Sequence, residues 1–233
     1  MTMGEAVLVG GRDRREGGDD DVAGMLPLDR VSRMFRRADL VTYGDARREF
    51  FIQVDLNPFR TRTPAFHARM EDVFEQWFAL DCQLDVGGLT PFAVAAAYAR
   101  DEHGVDEDGY RDLCELSSSN FASWFWVRGA SAACGTVTVE DLAGGGMYEV
   151  ADRPLACRLD GARGGSLVGR LARVRGAWRM PWRPLYEARI PGDERFRLHM
   201  ASMLHAWDPG FVDYARMLYG RDACLKVDWD AMA

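Results

Sequence analysis

The sequence predicts an α+β protein with an N-terminal helical half, a small five-stranded antiparallel β barrel or curved sheet, and C-terminal helices packed on the rest. Three observations predict it. Apolar residues recur every three or four positions from Leu26 to Leu116, the period of a helix with one buried face. From Phe121 the period drops to two, and the glycine-rich stretches Gly144–Gly146 and Gly161–Gly165 interrupt it where hairpins need positive φ. Beyond Pro191 the helical spacing returns. Four segments follow: Met1–Gly24 as a disordered tail, 25–119 as the helical region, Asn120–Pro191 as the β module, and 192–233 as packing helices.

Leu26–Val54 is predicted as one or two helices, with Asp29 as a cap, Gly44 as the break, Asp45 as a second cap and Pro58 as the stop. Thr63-Pro64 starts the next helix, because threonine caps well and proline suits the first helical position. Its residues Phe66, Met70, Phe74 and Trp77 form a face that must be buried. After Gly87-Gly88, Thr90-Pro91 repeats the start signal, and Gly104 stops that helix. Asp106 caps a short helix through Leu116 that dissolves into Ser117-Ser118-Ser119.

In the β module, one strand runs from Phe121 to Arg128 and the next covers Thr136–Val139. A third returns through Tyr148 and Val150. The fourth places Leu167, Gly169, Leu171 and Arg173 on one face, with Val168, Arg170, Ala172 and Val174 on the other. Trp178 and Met180 close a fifth strand before Pro181. Asp193 and Asp208-Pro209 start the two C-terminal helices.

Composition excludes several classes. No apolar run reaches membrane-spanning length, and the N-terminus lacks the apolar core of a signal peptide. The five cysteines are scattered without a C-x-x-C pair, which predicts neither a disulfide framework nor a zinc ribbon, but a reducing cytoplasm in which most of them are small buried thiols. The net charge of −7 argues against broad binding to DNA. That charge is uneven: Asn120–Pro191 holds ten Arg against six acids, leaving the remainder near −11.

Each chemical motif has a simpler structural explanation. His199 and His205 lie six residues apart, about 600° around a helix, so they do not converge on a metal. The acidic stretch Asp101–Gly109 misses calcium-loop register, with Asp106 at the sixth position and Asp112 at the twelfth. No nucleophile elbow occurs, and the glycine stretches lie between strands rather than before a phosphate-binding helix. No catalytic residue, metal or cofactor is predicted.

The constellation left over is aromatic and basic. Trp124 and Trp126 share one face of the first strand with Ala122, while Phe121, Ser123, Phe125 and Val127 share the other. Arg170, Arg173, Arg175, Arg179 and Arg183 follow on the last two strands. Exposed aromatics beside arginine are how small barrels stack bases, so Trp124, Trp126, Arg170, Arg173, Arg175 and Arg179 form the candidate binding set. Against it, flanking helices would gain about 2–3 kcal/mol for each large aromatic they cover, and burial of both faces is the favoured expectation.

The run Phe74-x-x-Trp77-Phe78-x-Leu80-Asp81, with Gly88-x-Thr90-Pro91, Leu113-x-x-Leu116-x-x-Ser119 and Trp126-Val127, resembles an uncharacterised bacterial family. So do Val139-x-Asp141-Leu142-x-x-Gly145, Tyr148-x-Val150, Leu171-Ala172-Arg173 and Gly176-x-Trp178-Arg179-Met180. Many members of that family carry a C-terminal zinc-binding SEC-C motif. The likeness covers Phe66 to Pro191 and implies the helical-plus-β architecture without an activity. The zinc motif itself, C-x-C-x₈-C-[HC], is absent here.

The leading expectation is a non-enzymatic binding or regulatory protein that contacts a nucleic acid or a protein through the β module, with no membrane partner. The alternative is an enzyme whose site assembles from Cys114, His103 or Asp141 in the cleft between helical half and β module. A third expectation is a homodimer through Met203, Trp207, Phe211 and Tyr214 of the C-terminal helices.

Overall fold

A computed structural model describes residues 22–56, 63–84, 87–190, 193–221 and 223. The helical half comprises α1 (Val22–Met25), α2 (Leu28–Ala38), α3 (Leu40–Val54), α4 (Pro64–Leu80), α5 (Pro91–Asp101) and α6 (Glu107–Ser119). Thr63, Thr90 and Asp106 cap α4, α5 and α6, each side chain accepting a backbone N–H three residues on. The expected disordered tail overlaps α1 at residues 22–24, and its remaining residues lie outside the described ones, as does the expected stop at Pro58.

Two helix boundaries differ from expectation. The α2–α3 break falls at Asp39 rather than Gly44, because the Asp39 carboxylate accepts from Thr42 N (3.1 Å) and Thr42 Oγ1 (2.6 Å) and starts a new helix there. Gly44 stays helical, its cost of about 1 kcal/mol outweighed by burial of Tyr43, Ala46 and Phe50 around it. The serines at 117–119 also remain helical. Ser119 Oγ ties that end to the backbone of Arg173, accepting from its N–H (2.8 Å) and donating to its carbonyl (3.0 Å).

The β module is β1 (Phe121–Ser131), β2 (Thr136–Asp141), β3 (Met147–Ala151), β4 (Ser166–Val174), β5 (Ala177–Arg179) and β6 (Tyr186–Ala188), with the short helix α7 (Arg153–Arg158) between β3 and β4. The sheet is therefore six-stranded and mixed rather than five-stranded and antiparallel: β3 and β5 run parallel, registered at Val150 and Trp178, and β6 adds to β4. Both β6 and α7 are too short to show a period in the sequence. Proline in the first turn and an Asp152 cap, accepting from Leu155 N at 2.8 Å, start α7. Pairing runs β1–β2–β3–β5–β4, and β4 also pairs with β1.

This arrangement gives the sheet an inner and an outer face. Phe125, Val127, Val137, Val139, Val150, Leu167 and Leu171 meet on the inner face with Leu155 and Ala156 of α7 and with Leu159, which caps its end. On the outer face, Trp124, Trp126 and Val168 pack into the helical core of α3 and α4. The C-terminal helices α8 (Glu194–Trp207) and α9 (Phe211–Tyr219) join that core through Met200, Leu204, Phe211 and Tyr214. Ala172 and Val174 pack instead against α5 and α6. No described helix is long and apolar enough to cross a membrane.

Candidate functional site

Strand alternation decides the fate of the predicted aromatics. Trp124 and Trp126 project from the outer face of β1 and are buried, Trp126 against Phe196 of α8 at 6.0 Å between rings. They are core residues and cannot stack on a ligand. The helices cover this face because it offers two indoles to bury.

The arginines separate. Arg170 is 1 % exposed. Its guanidinium meets the Asp81 carboxylate and Asn120 Oδ1 (2.9 Å) and lies 4.2 Å from the centre of the Phe211 ring. It joins the ends of α4, β1 and α9 and is closed to any partner. Arg175 turns onto α6, where Nε donates to buried Asp112 (3.0 Å) and its backbone N–H donates to Glu115 (2.8 Å). Arg179 is half-buried and falls on the opposite side of β5 from Trp178. Arg173 alone of the predicted set keeps an exposed side chain without a carboxylate partner among the described residues. Its one side-chain hydrogen bond, from Nε to the Gly176 carbonyl, is long at 3.4 Å.

Arg173 does not stand alone. It follows Leu171 on the inner face of β4 and is the cross-strand partner of Trp178 on β5. Trp178 packs edge-on against Tyr148 (4.9 Å between rings) and Phe121 (5.8 Å), and Phe121 lies 5.5 Å from Tyr148. All three rings are half-buried. The inner face thus has two different ends. At one, α7 closes the interior near Ala130 and Gly135, through bonds from Gly161 N to Ala130 O and from Asp152 N to Gly135 O. At the other, Phe121, Tyr148 and Trp178 form a half-buried aromatic cluster with exposed Arg173 opposite Trp178.

Glycine shapes that end. A Cβ on Gly146 would lie 2.6 Å from the Tyr148 hydroxyl oxygen, so the ring sits over backbone that only glycine leaves clear. Burial, with the charge of Asp141 nearby, raises the Tyr148 phenol above its ordinary pKa. The phenol is therefore protonated at neutral pH.

The residues of the expected enzyme site are not brought together. Asp141 is buried at the end of β2, where Oδ1 accepts from Ala143 N (2.9 Å), Gly144 N (3.0 Å) and Ser123 Oγ, a turn-capping role. Cys114 is exposed on α6 and His103 is exposed after α5 with φ of +53°. No hydrogen bond or ion pair joins Asp141 to either. Cys134 and Cys157 are likewise exposed rather than buried, and Cys82 is half-buried. No group of His, Cys, Asp and Glu among the described residues could hold a metal. The expected dimer patch is also divided, since Met203 and Trp207 are exposed while Phe211 and Tyr214 are core.

Phe121, Tyr148 and Trp178 were absent from the predicted set. Their signal is the phase of the strands, since Phe121 shares the inner face with Leu171 and Arg173. Both faces of β1 are apolar, so only the pairing of β1 with β4 reveals which aromatics lie at the end of the inner face. Compared with known proteins, the chain matches no family model, no curated protein and no solved structure.

Proposed function

We propose that the protein is a non-enzymatic binding or regulatory protein of the cytoplasm whose β module takes a single-stranded nucleic acid at its aromatic end. The observation that carries this reading is the juxtaposition of half-buried Phe121, Tyr148 and Trp178 with the exposed, carboxylate-free guanidinium of Arg173. Stacking of one base on an aromatic ring contributes about 1–3 kcal/mol, and Arg173 supplies a cation for the adjoining phosphate. The return of β4 to β1 supports reading the module as a small barrel, an architecture whose end and rim suit such a ligand.

The chain's charge of −7 opposes long-range attraction to phosphate, so binding rests on local contacts of Arg173 and the aromatic rings. Fluorescence anisotropy of labelled single-stranded DNA and RNA tests this. Affinity is expected to fall as salt rises, with a slope of about −0.7 on logarithmic axes for each phosphate neutralised. Arg173→Glu and Trp178→Ala should each lower affinity at least about tenfold. Absence of binding to any oligonucleotide at low salt would rule the reading out.

A further inference from the structure

A hollow of about 880 Å³ lies between α3 and α4. Its α3 wall runs from Gly44 through Arg47, Arg48, Phe51 and Ile52 to Asp55, at three- and four-residue steps along one side of that helix. Phe66, His67, Met70 and Glu71 of α4 line it from across, and Leu56 closes the list at the end of α3. Measured along α3, the hollow is about 16 Å long. Buried Phe66 and Met70, half-buried Phe51 and Leu56, and Ile52, 70 % exposed, give it an apolar lining. The charges beside it answer one another: Arg47 binds Glu71, Arg48 faces Asp45 at 3.2 Å, and Arg221 faces Asp55 at 3.4 Å. The apolar side chains are therefore the unsatisfied part of the hollow.

The chain leaving α9 arrives at one end of this hollow. Gly220 forms an antiparallel bridge with Leu56, and the Arg221 N–H donates to the Asp55 carbonyl at 2.7 Å. A Cβ on Gly220 would lie 2.9 Å from the Val54 carbonyl oxygen, so glycine lets the chain pass this close to the end of α3. Residues 224–233, outside the described ones, follow directly. Their sequence alternates: Leu225, Val227 and Trp229 are apolar, and Lys226, Asp228 and Asp230 between and after them are charged. Extended, such a segment sets its apolar side chains on one face, and five of its residues cover about 16 Å. That is the length of the hollow.

We propose that residues 224–233 dock as an extended segment in the α3–α4 hollow of their own chain, with Leu225, Val227 and Trp229 against Phe51, Ile52, Phe66 and Met70. The segment starts within a few residues of the hollow's end, which sets its effective concentration there on the order of millimolar. The same segment of a second copy has to compete with that tethered one. A nucleic acid would leave the apolar lining in water. This docking site is separate from the aromatic end of the β module and does not rest on the function proposed for it.

The indole N–H signal of Trp229 tests the proposal, read in the isotope-labelled 233-residue chain and assigned by Trp229→Phe. A synthetic peptide of residues 224–233 supplies the undocked position of that signal. In the parent chain the signal is expected to be displaced from the peptide's position, and Ile52→Asp should return it there. Ile52 is exposed, so this variant should melt at the temperature of the parent chain. Should it prove unstable, Val227→Asp gives the same test from the segment's side and leaves the lining untouched. A Trp229 signal at the peptide's position in the parent chain overturns the proposal. So does a displaced signal that neither substitution moves, which places the segment elsewhere. A displacement that vanishes on dilution, together with a dimer in light scattering, overturns it in favour of exchange between two copies.

Discussion

Buried Arg170 and half-buried Glu75 predict opposite responses. Arg170 is enclosed by Asp81, Asn120 and Phe211. Removing one partner of such a pair leaves the other poorly solvated, so Arg170→Ala should destabilise by about 3 kcal/mol in urea unfolding. Glu75 has its carboxyl pushed from an ordinary 4.5 up to about 7, first by burial and then by Asp29, Asp72 and Glu71, with Arg33 opposing. A raised carboxyl pKa means the fold disfavours the ionised form. Glu75 therefore lowers stability as pH rises from about 4.5 through 7, and its penalty is complete above that range. Glu75→Gln should raise the melting temperature more at pH 8 than at pH 5. Equal shifts at both pH values would contradict this account of Glu75. At this scale the sequence was least informative. The placement of Arg170 in the core depends on Asp81 and Phe211, which are remote along the chain.

At the scale of elements, legibility followed length and capping. Thr63-Pro64 and Thr90-Pro91 marked the starts of α4 and α5 because cap and first-turn proline act locally. The alternation of β4 was readable for the same reason: Leu167 and Leu171 face the interior while Val168 faces the helices. In contrast, β6 has three residues and is held by tertiary contacts alone. One of those contacts requires Gly165, whose φ is +142° and whose added Cβ would lie 2.7 Å from the Ala188 carbonyl oxygen at the end of β6. Gly165→Ala is expected to cost about 2 kcal/mol. It should also expose the β6 amides, read as faster hydrogen exchange at Tyr186–Ala188 than elsewhere in the sheet.

For the molecule as a whole, the helical half covers the outer face of the sheet, and the half-buried rings of Phe121, Tyr148 and Trp178 lie at one end of its inner face. The Arg-rich segment was legible as a unit, but its arginines serve different ends: Arg170 joins elements, Arg175 docks the β4–β5 turn on α6, and Arg173 stays exposed opposite Trp178. Likewise the indoles divide between buried Trp124 and Trp126 and half-buried Trp178, which composition alone cannot sort. The most direct test of the central claim uses the indole N–H signals of isotope-labelled protein, assigned by single Trp→Phe variants and followed during titration with a single-stranded oligonucleotide. Binding at the aromatic end should shift the Trp178 signal and leave those of buried Trp124 and Trp126 in place. A saturable titration in which Trp178 stays fixed would contradict the assignment of this end as the binding site.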